Sequence, residues 1–154
     1  MKQTQEKAFI FGAIFTLANR LQILGDKFDE NITVKQWLLL ATISKSEHPA
    51  PSLSEVAKII GNSRQNVKKM ALILENQGFL SLTKDDIDTR ITRITLNPKC
   101  ITYFQNRNLD ELNFLNQLFD SFDEDMITGL YQGLNHLAEN IINMENTTNT
   151  YKKD

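Results

Sequence analysis

Apolar residues recur with helical spacing near both ends of the chain and through its middle, and give way to strand-like character in one short interval. Near the start, Ile10, Ile14, Leu17, Leu21 and Leu24 alternate four- and three-residue steps, which lines one face of a long helix over about 5–27. Phe9, Phe11, Ala13, Phe15 and Ala18 widen that face, so the pattern predicts burial against more than one partner. Val34, Trp37, Leu38 and Ala41, then Leu53, Val56, Ala57 and Ile60, follow i, i+3, i+4, i+7 and predict two short core-facing helices. A third helix, starting near Ser63, turns Val67, Met70, Ala71 and Leu74 inward and ends at Gly78. Residues 79–83 and 90–96 are rich in aromatic, β-branched and Thr residues around a turn-like 84–89, which predicts a β-hairpin. Asn97 and Pro98 open another long helix with Ile101, Phe104, Leu112, Leu115 and Phe119 on one side. A last helix carries Met126, Leu130, Leu134, Leu137, Ile141 and Met144 as a continuous seam, and the polar 147–154 is expected to fray.

Helix starts carry their own signals. Thr33-x-x-Gln36, Ser52-x-x-Glu55 and Ser121-x-x-Glu124 have the capping-box form, in which the first side chain accepts from a backbone N–H and the second reaches back. Gly61 follows Ile60 where a left-handed residue closes a helix, and Ser63 supplies the next hydroxyl cap, so a tight turn joins two helices. The order helix, helix, turn, helix, hairpin predicts a mostly α fold with a small β-hairpin (α+β), a winged helix-turn-helix.

Composition narrows the class. Hydrophobic residues at 41% and charged residues at 23% suffice for a folded core. No run is read as reaching the roughly 20 apolar residues of a membrane span, and no signal-peptide core opens the chain, so a cytoplasmic location without membrane is expected. The single Cys100 excludes an intramolecular disulfide. The net charge of −2 is unevenly spread: 57–74 holds Lys58, Arg64, Lys68 and Lys69 and no acid, whereas Asp110, Glu111, Asp120, Asp123, Glu124 and Asp125 crowd a later stretch. With Val67, Met70, Ala71 and Leu74 inward, 100° per residue points Gln65, Lys69 and Asn76 outward and puts Arg64 and Lys68 beside them. Gln pairs bidentately with adenine, Arg and Lys donate to guanine O6 and N7, and N–H groups at a helix start meet phosphate. A solvated helix surface has the same polarity. The acid-free stretch and the adjoining hairpin favour duplex DNA.

The segments Ser52-Leu-Ser-Glu-Val-Ala-Lys-Ile-Ile-Gly-Asn-Ser-Arg-Gln-Asn-Val-Lys-Lys, Leu74-Glu-Asn-Gln-Gly-Phe-Leu and Asp88-Thr-Arg-Ile-Thr-Arg-Ile-Thr-Leu resemble the MarR family of transcription regulators, nearly the whole chain following its element order. The resemblance implies a sequence-specific, ligand-responsive repressor acting as a homodimer on a near-palindromic operator. It divides the chain into an N-terminal dimerisation helix (1–30), a winged helix-turn-helix DNA-binding region (31–97), C-terminal dimerisation helices (98–146) and a disordered tail (147–154), together one intertwined domain. Ser63, Arg64, Gln65, Asn66, Lys68 and Lys69 fall on its recognition helix, and Lys84, Asp88, Arg90 and Arg93 on its wing, Asp88 and Arg90 resembling a structural pair whose Arg meets the DNA backbone or minor groove. A small-molecule effector is implied as well, its identity and ligand residues unknown. Asn97 replaces the commoner Thr and caps equally well, and Cys100 stands where Gly is usual. Cys100 reads as a packed small residue, with a redox-responsive regulator as the alternative. His48 and His136 are far apart and read as surface residues, so neither a metal site nor a cofactor is expected. Phe15 and Trp37 read as core rather than as walls of a ligand cleft. No enzyme signature is present, so catalysis is not expected. The main alternative is a winged-helix dimer serving protein interaction, to which the acidic wing tip, Asp85 and Asp86, lends weight.

Overall fold

The computed structural model describes residues 1–151, with side chains through Thr148. Six helices and one hairpin follow in order: α1 (Lys2–Phe28), α2 (Val34–Ser44), α3 (Leu53–Ile60), α4 (Arg64–Asn76), β1 (Leu80–Lys84), β2 (Thr92–Leu96), α5 (Pro98–Leu118) and α6 (Glu124–Tyr151). This is the expected mostly helical winged helix-turn-helix. The chain divides into two compact units, Met1–Asn106 and Arg107–Asp154.

In the first unit, the capping boxes at Thr33 and Ser52 are both formed. Thr33 Oγ1 accepts from Gln36 N–H at 3.2 Å while Gln36 Oε1 accepts from Thr33 N–H at 2.9 Å. Ser52 and Glu55 repeat the exchange. A further acceptor comes from α1, where Asp26 Oδ1 takes the Val34 N–H at 2.8 Å and sets a carboxylate at the positive end of the α2 dipole. Gly25 is buried there, and the position requires glycine because a Cβ would run into Val34 Cγ2. Gly61 (φ +68) closes α3, and Gly78 (φ +82) follows α4 with Gly78 N–H on Glu75 O and Phe79 N–H on Leu74 O, a doubly bonded left-handed stop.

Leu39, Leu40, Leu53, Val56, Val67, Ala71, Leu74, Leu80, Ile94 and Cys100 share one fully packed core drawn from α2, α3, α4, the hairpin and the start of α5. Trp37 packs half-buried against it. The strands pair antiparallel with Leu80 opposite Leu96 and Lys84 opposite Thr92. Ser52 forms a bridge to Arg93, and Ile94 N–H donates to Pro51 O at 2.9 Å, so the segment before α3 adds a short third rung to β2.

Several local expectations are corrected. Ser121 does not cap α6; it sits at φ +64 with its hydroxyl on Asp120, and Asp123 Oδ1 accepts the Met126 N–H at 2.8 Å instead, a carboxylate nearer the helix start displacing the hydroxyl. The Asn97 side chain does not cap α5 either: its Oδ1 accepts from Ser81 Oγ at 2.8 Å and its Nδ2 donates to Gly78 O, tying down the base of the hairpin. Helix α6 runs on through 147–151, with the Thr147 and Thr148 hydroxyls donating to the Asn143 and Met144 carbonyls, whereas 152–154 lie outside the described residues. Phe15 is exposed, edge-on to Phe11 at 5.2 Å between ring centres, because the first unit leaves that face of α1 uncovered. Finally, α1 contains a window of 18 residues with mean hydropathy 1.4, apolar enough by length and composition to cross a membrane. Its uncharged stretch, 8–19, spans only ~18 Å of helix against the ~30 Å of a bilayer core.

Candidate nucleic-acid interface

The site begins with the start of α4. Ser63 Oγ accepts the Asn66 N–H at 3.1 Å, and Asn62 Oδ1 accepts from Ser63 N–H at 2.8 Å and from Asn66 Nδ2 at 3.2 Å. Ser63 and Asn66 therefore spend side-chain hydrogen bonds on holding the helix start, while helical geometry leaves the Arg64 and Gln65 N–H groups without intrahelical acceptors. Burying Val67, Ala71 and Leu74 turns the opposite face outward, and Arg64, Gln65, Lys68 and Lys69 are all exposed on it. The outward stripe is not polar throughout: Leu72 and Ile73, in the later half of α4, are half exposed. Cations and the amide occupy the first two turns.

The wing joins this helix through a contact that spacing alone does not reveal. Glu75 Oε2 accepts the Leu82 N–H at 2.6 Å, linking the end of α4 to β1. At the tip, Asp88 grips Arg90 through two parallel bonds, Nε to Oδ1 at 3.0 Å and Nη2 to Oδ2 at 2.9 Å. The Arg90 bonds lower the Asp88 pKa, and Asp88 raises that of Arg90. With two of five N–H donors engaged on Asp88 and the side chain 89% exposed, the Arg90 fork still faces solvent. Lys84 is exposed at the end of β1.

Arg93 differs from these cations. Its side chain is only 22% exposed, and it donates to Asp85 Oδ1 at 2.9 Å and to Ala50 O and Glu55 Oε2, each at 3.5 Å. Its Nε and Nη1 are thus turned toward the protein. Asp85 is thereby neutralised locally, its pKa lowered by the Asp88 N–H, by Arg93 and by the Ile87 N–H. Glu55 is also held low, first by the Ser52 N–H. Two of the wing's three aspartates, Asp85 and Asp88, thus face a guanidinium, which weakens the repulsion their charges would offer to phosphate.

Cys100 is fully buried, and desolvation pushes its thiol pKa up to about 11, far from the thiolate character a redox centre needs. His48 Nδ1 accepts from Ala50 N–H in an exposed loop, and His136 lies on the α6 surface 3.7 Å from Glu139.

The fold has many solved counterparts. A MarR transcriptional regulator from Methanosarcina mazei Go1 superposes with a TM-score of 0.79 at 20% identity, covering 89% of this chain and 99% of that one. The S. aureus MepR–DNA complex gives a TM-score of 0.74 at 16% identity, with 85% and 97% covered. Bordetella bronchiseptica BpsR, whose DNA binding is regulated by 6-hydroxynicotinic acid, gives 0.72 at 16% identity, with 84% and 92% covered. The chain has the fold of the MarR regulators. No family model matches the sequence, and no curated protein does. At these identities the likeness shows architecture, so the roles of individual side chains rest on the geometry above.

Proposed function

We propose that the chain is a MarR-type transcription regulator that reads duplex DNA as a homodimer. The observation that carries this reading is the exposed cluster Arg64, Gln65, Lys68 and Lys69 on the first two turns of α4, next to a wing whose tip offers Lys84 and Arg90. In this reading Gln65 and Arg64 address base edges, Lys68 and Lys69 address bases or phosphate, and Ser63 and Asn66 set the helix start against the backbone. Lys84 and Arg90 meet phosphate or the minor groove, with Asp88 orienting Arg90.

The dimer is supported within each unit separately. In α6, Met126, Leu130, Leu134, Ile141 and Met144 are each 43–69% exposed, and in α1, Phe9, Phe11, Phe15 and Leu17 are each 56–75% exposed. No described side chain of α6 is buried, although an isolated amphipathic helix draws most of its stability from burying such a face. A second copy covers both faces, 1–30 and 98–146 supplying the dimerisation helices and 31–97 the DNA-binding region. A two-fold dimer presents α4 twice, so the operator is a near-palindrome with half-site centres about 10 bp apart. Repression by steric occlusion, relief by a small-molecule effector and a cytoplasmic location complete the reading. Catalysis has no part in it, and the solved counterparts are transcription regulators. Retardation of duplexes from the chain's own upstream region, followed across salt concentration, tests the reading. Binding with a slope set by several phosphate contacts is expected, and no binding at moderate salt contradicts it.

A further inference from the structure

We propose that Arg93 is a positioning residue for the wing tip, acting on DNA through Arg90 and not by touching phosphate itself; the proposal rests on the reading of the wing as a DNA-contacting element. A continuous relay runs from α3 to the tip. Glu55 Oε2 receives Arg93 Nη1 at 3.5 Å, and Ala50 O receives the same nitrogen from the segment before α3. Arg93 Nε donates to Asp85 Oδ1 at 2.9 Å. The other oxygen of that carboxylate, Oδ2, accepts the Ile87 N–H at 3.1 Å and the Asp88 N–H at 3.0 Å, which folds the tip back on itself. Asp88 then holds Arg90 by three bonds, two from the guanidinium and one from the Arg90 N–H at 3.1 Å. One bond across the hairpin, Asp85 N–H to Ile91 O, and one turn bond within the tip, Ile91 N–H to Asp88 O, close the loop.

The direction of control follows from exposure. Arg93 is shielded and has donors on three acceptors from separate segments, whereas Arg90 is almost fully in solvent and has donors to spare. A planar guanidinium spans acceptors in fixed directions, which a lysine ammonium does not reproduce. Without Arg93, Asp85 faces solvent as an unpaired charge, and the two tip N–H groups lose an acceptor held in place. The tip cation then samples many orientations, and the entropy of fixing it falls on the DNA complex. Fixing Arg90 beforehand removes that cost.

A double-mutant cycle separates this role from direct contact. The probe is the tightest duplex that the wild-type chain recovers from a random-sequence pool. In the wild-type background Arg93→Gln weakens binding about fivefold, whereas in an Arg90→Ala background it weakens binding less than about twofold, because the two residues act as one unit. Arg93→Lys recovers only part of the loss. In the free protein, amide exchange at Ile87 and Asp88 speeds up in Arg93→Gln while the α4 amides stay protected, which excludes a general loss of fold. Additive losses, with salt slope falling by about one unit for each arginine removed, would show an independent phosphate contact by Arg93 and overturn the proposal. Unchanged exchange at Ile87 and Asp88 would overturn it equally. A wild-type chain that recovers no duplex contradicts the DNA reading itself, a result visible before any variant is made.

Discussion

Single residues show how narrow some requirements are. Gly25 permits α1 to approach the N-terminus of α2, and a methyl group added there overlaps Val34 Cγ2. Helix propensity favours Ala over Gly by about 1 kcal/mol, but overpacking typically costs about 1–3 kcal/mol, so the clash outweighs the gain in propensity. Gly25→Ala is expected to lower stability by about 1 kcal/mol in urea unfolding, and an increase would mean that α1 shifts freely. Cys100 lies at the other extreme of tolerance to its surroundings. Its thiol, raised to about 11, is expected to resist a thiol reagent at neutral pH until the chain unfolds. Rapid labelling of folded protein would revive a redox role. Arg93 marks where sequence reading stops. Its partners Asp85, Ala50 and Glu55 lie 8, 43 and 38 positions away, so spacing shows a cation on a wing and geometry shows a brace.

At the scale of elements, signals confined to three or four residues were legible because the chemistry itself is local. Thr33 with Gln36 and Ser52 with Glu55 both close as capping boxes, and Gly61 and Gly78 both adopt the left-handed stops their positions suggest. Ser121 failed by the same rule, since Asp123 competes for the same helix start. Joints between elements were not legible: Asp26 on Val34 N–H and Glu75 on Leu82 N–H pair groups whose proximity only the packed core creates. The wing has a defined acid sensitivity. Asp85 and Asp88 sit below the ordinary 3.8 and Glu55 below 4.5, so each stabilises the fold above its ordinary value and the contribution fades as pH falls through the native pKa. Wing amide signals are therefore expected to hold from neutral pH to about pH 5 and to loosen below about pH 4, before those of α2. Loosening between about pH 5 and 7 would point to a different titrating group.

For the whole molecule, the apolar faces of α1 and α6 were legible as patterns, but what covers them was not, because a stripe records that a partner is needed and not which one. With a second copy as that partner, Leu134→Glu with Leu137→Glu is expected to give monomer or insoluble protein in light scattering, while soluble wild-type monomer at micromolar concentration would contradict the dimer. The first turns of α4 were legible in composition, as an acid-free stretch with cations on one face, and the fold places that face in solvent. Whether it reads sequence is the central claim. The most direct test is the base-preference profile of the wild-type chain, selected from a random duplex pool, set against that of the variant Arg64→Ala, Gln65→Ala, Lys69→Ala. The account predicts a near-palindromic wild-type profile with half-sites about 10 bp apart and a flattened profile in the variant, each lost bidentate contact being worth about 1–3 kcal/mol per half-site. An unchanged profile in the variant would contradict it, even if the protein still bound DNA.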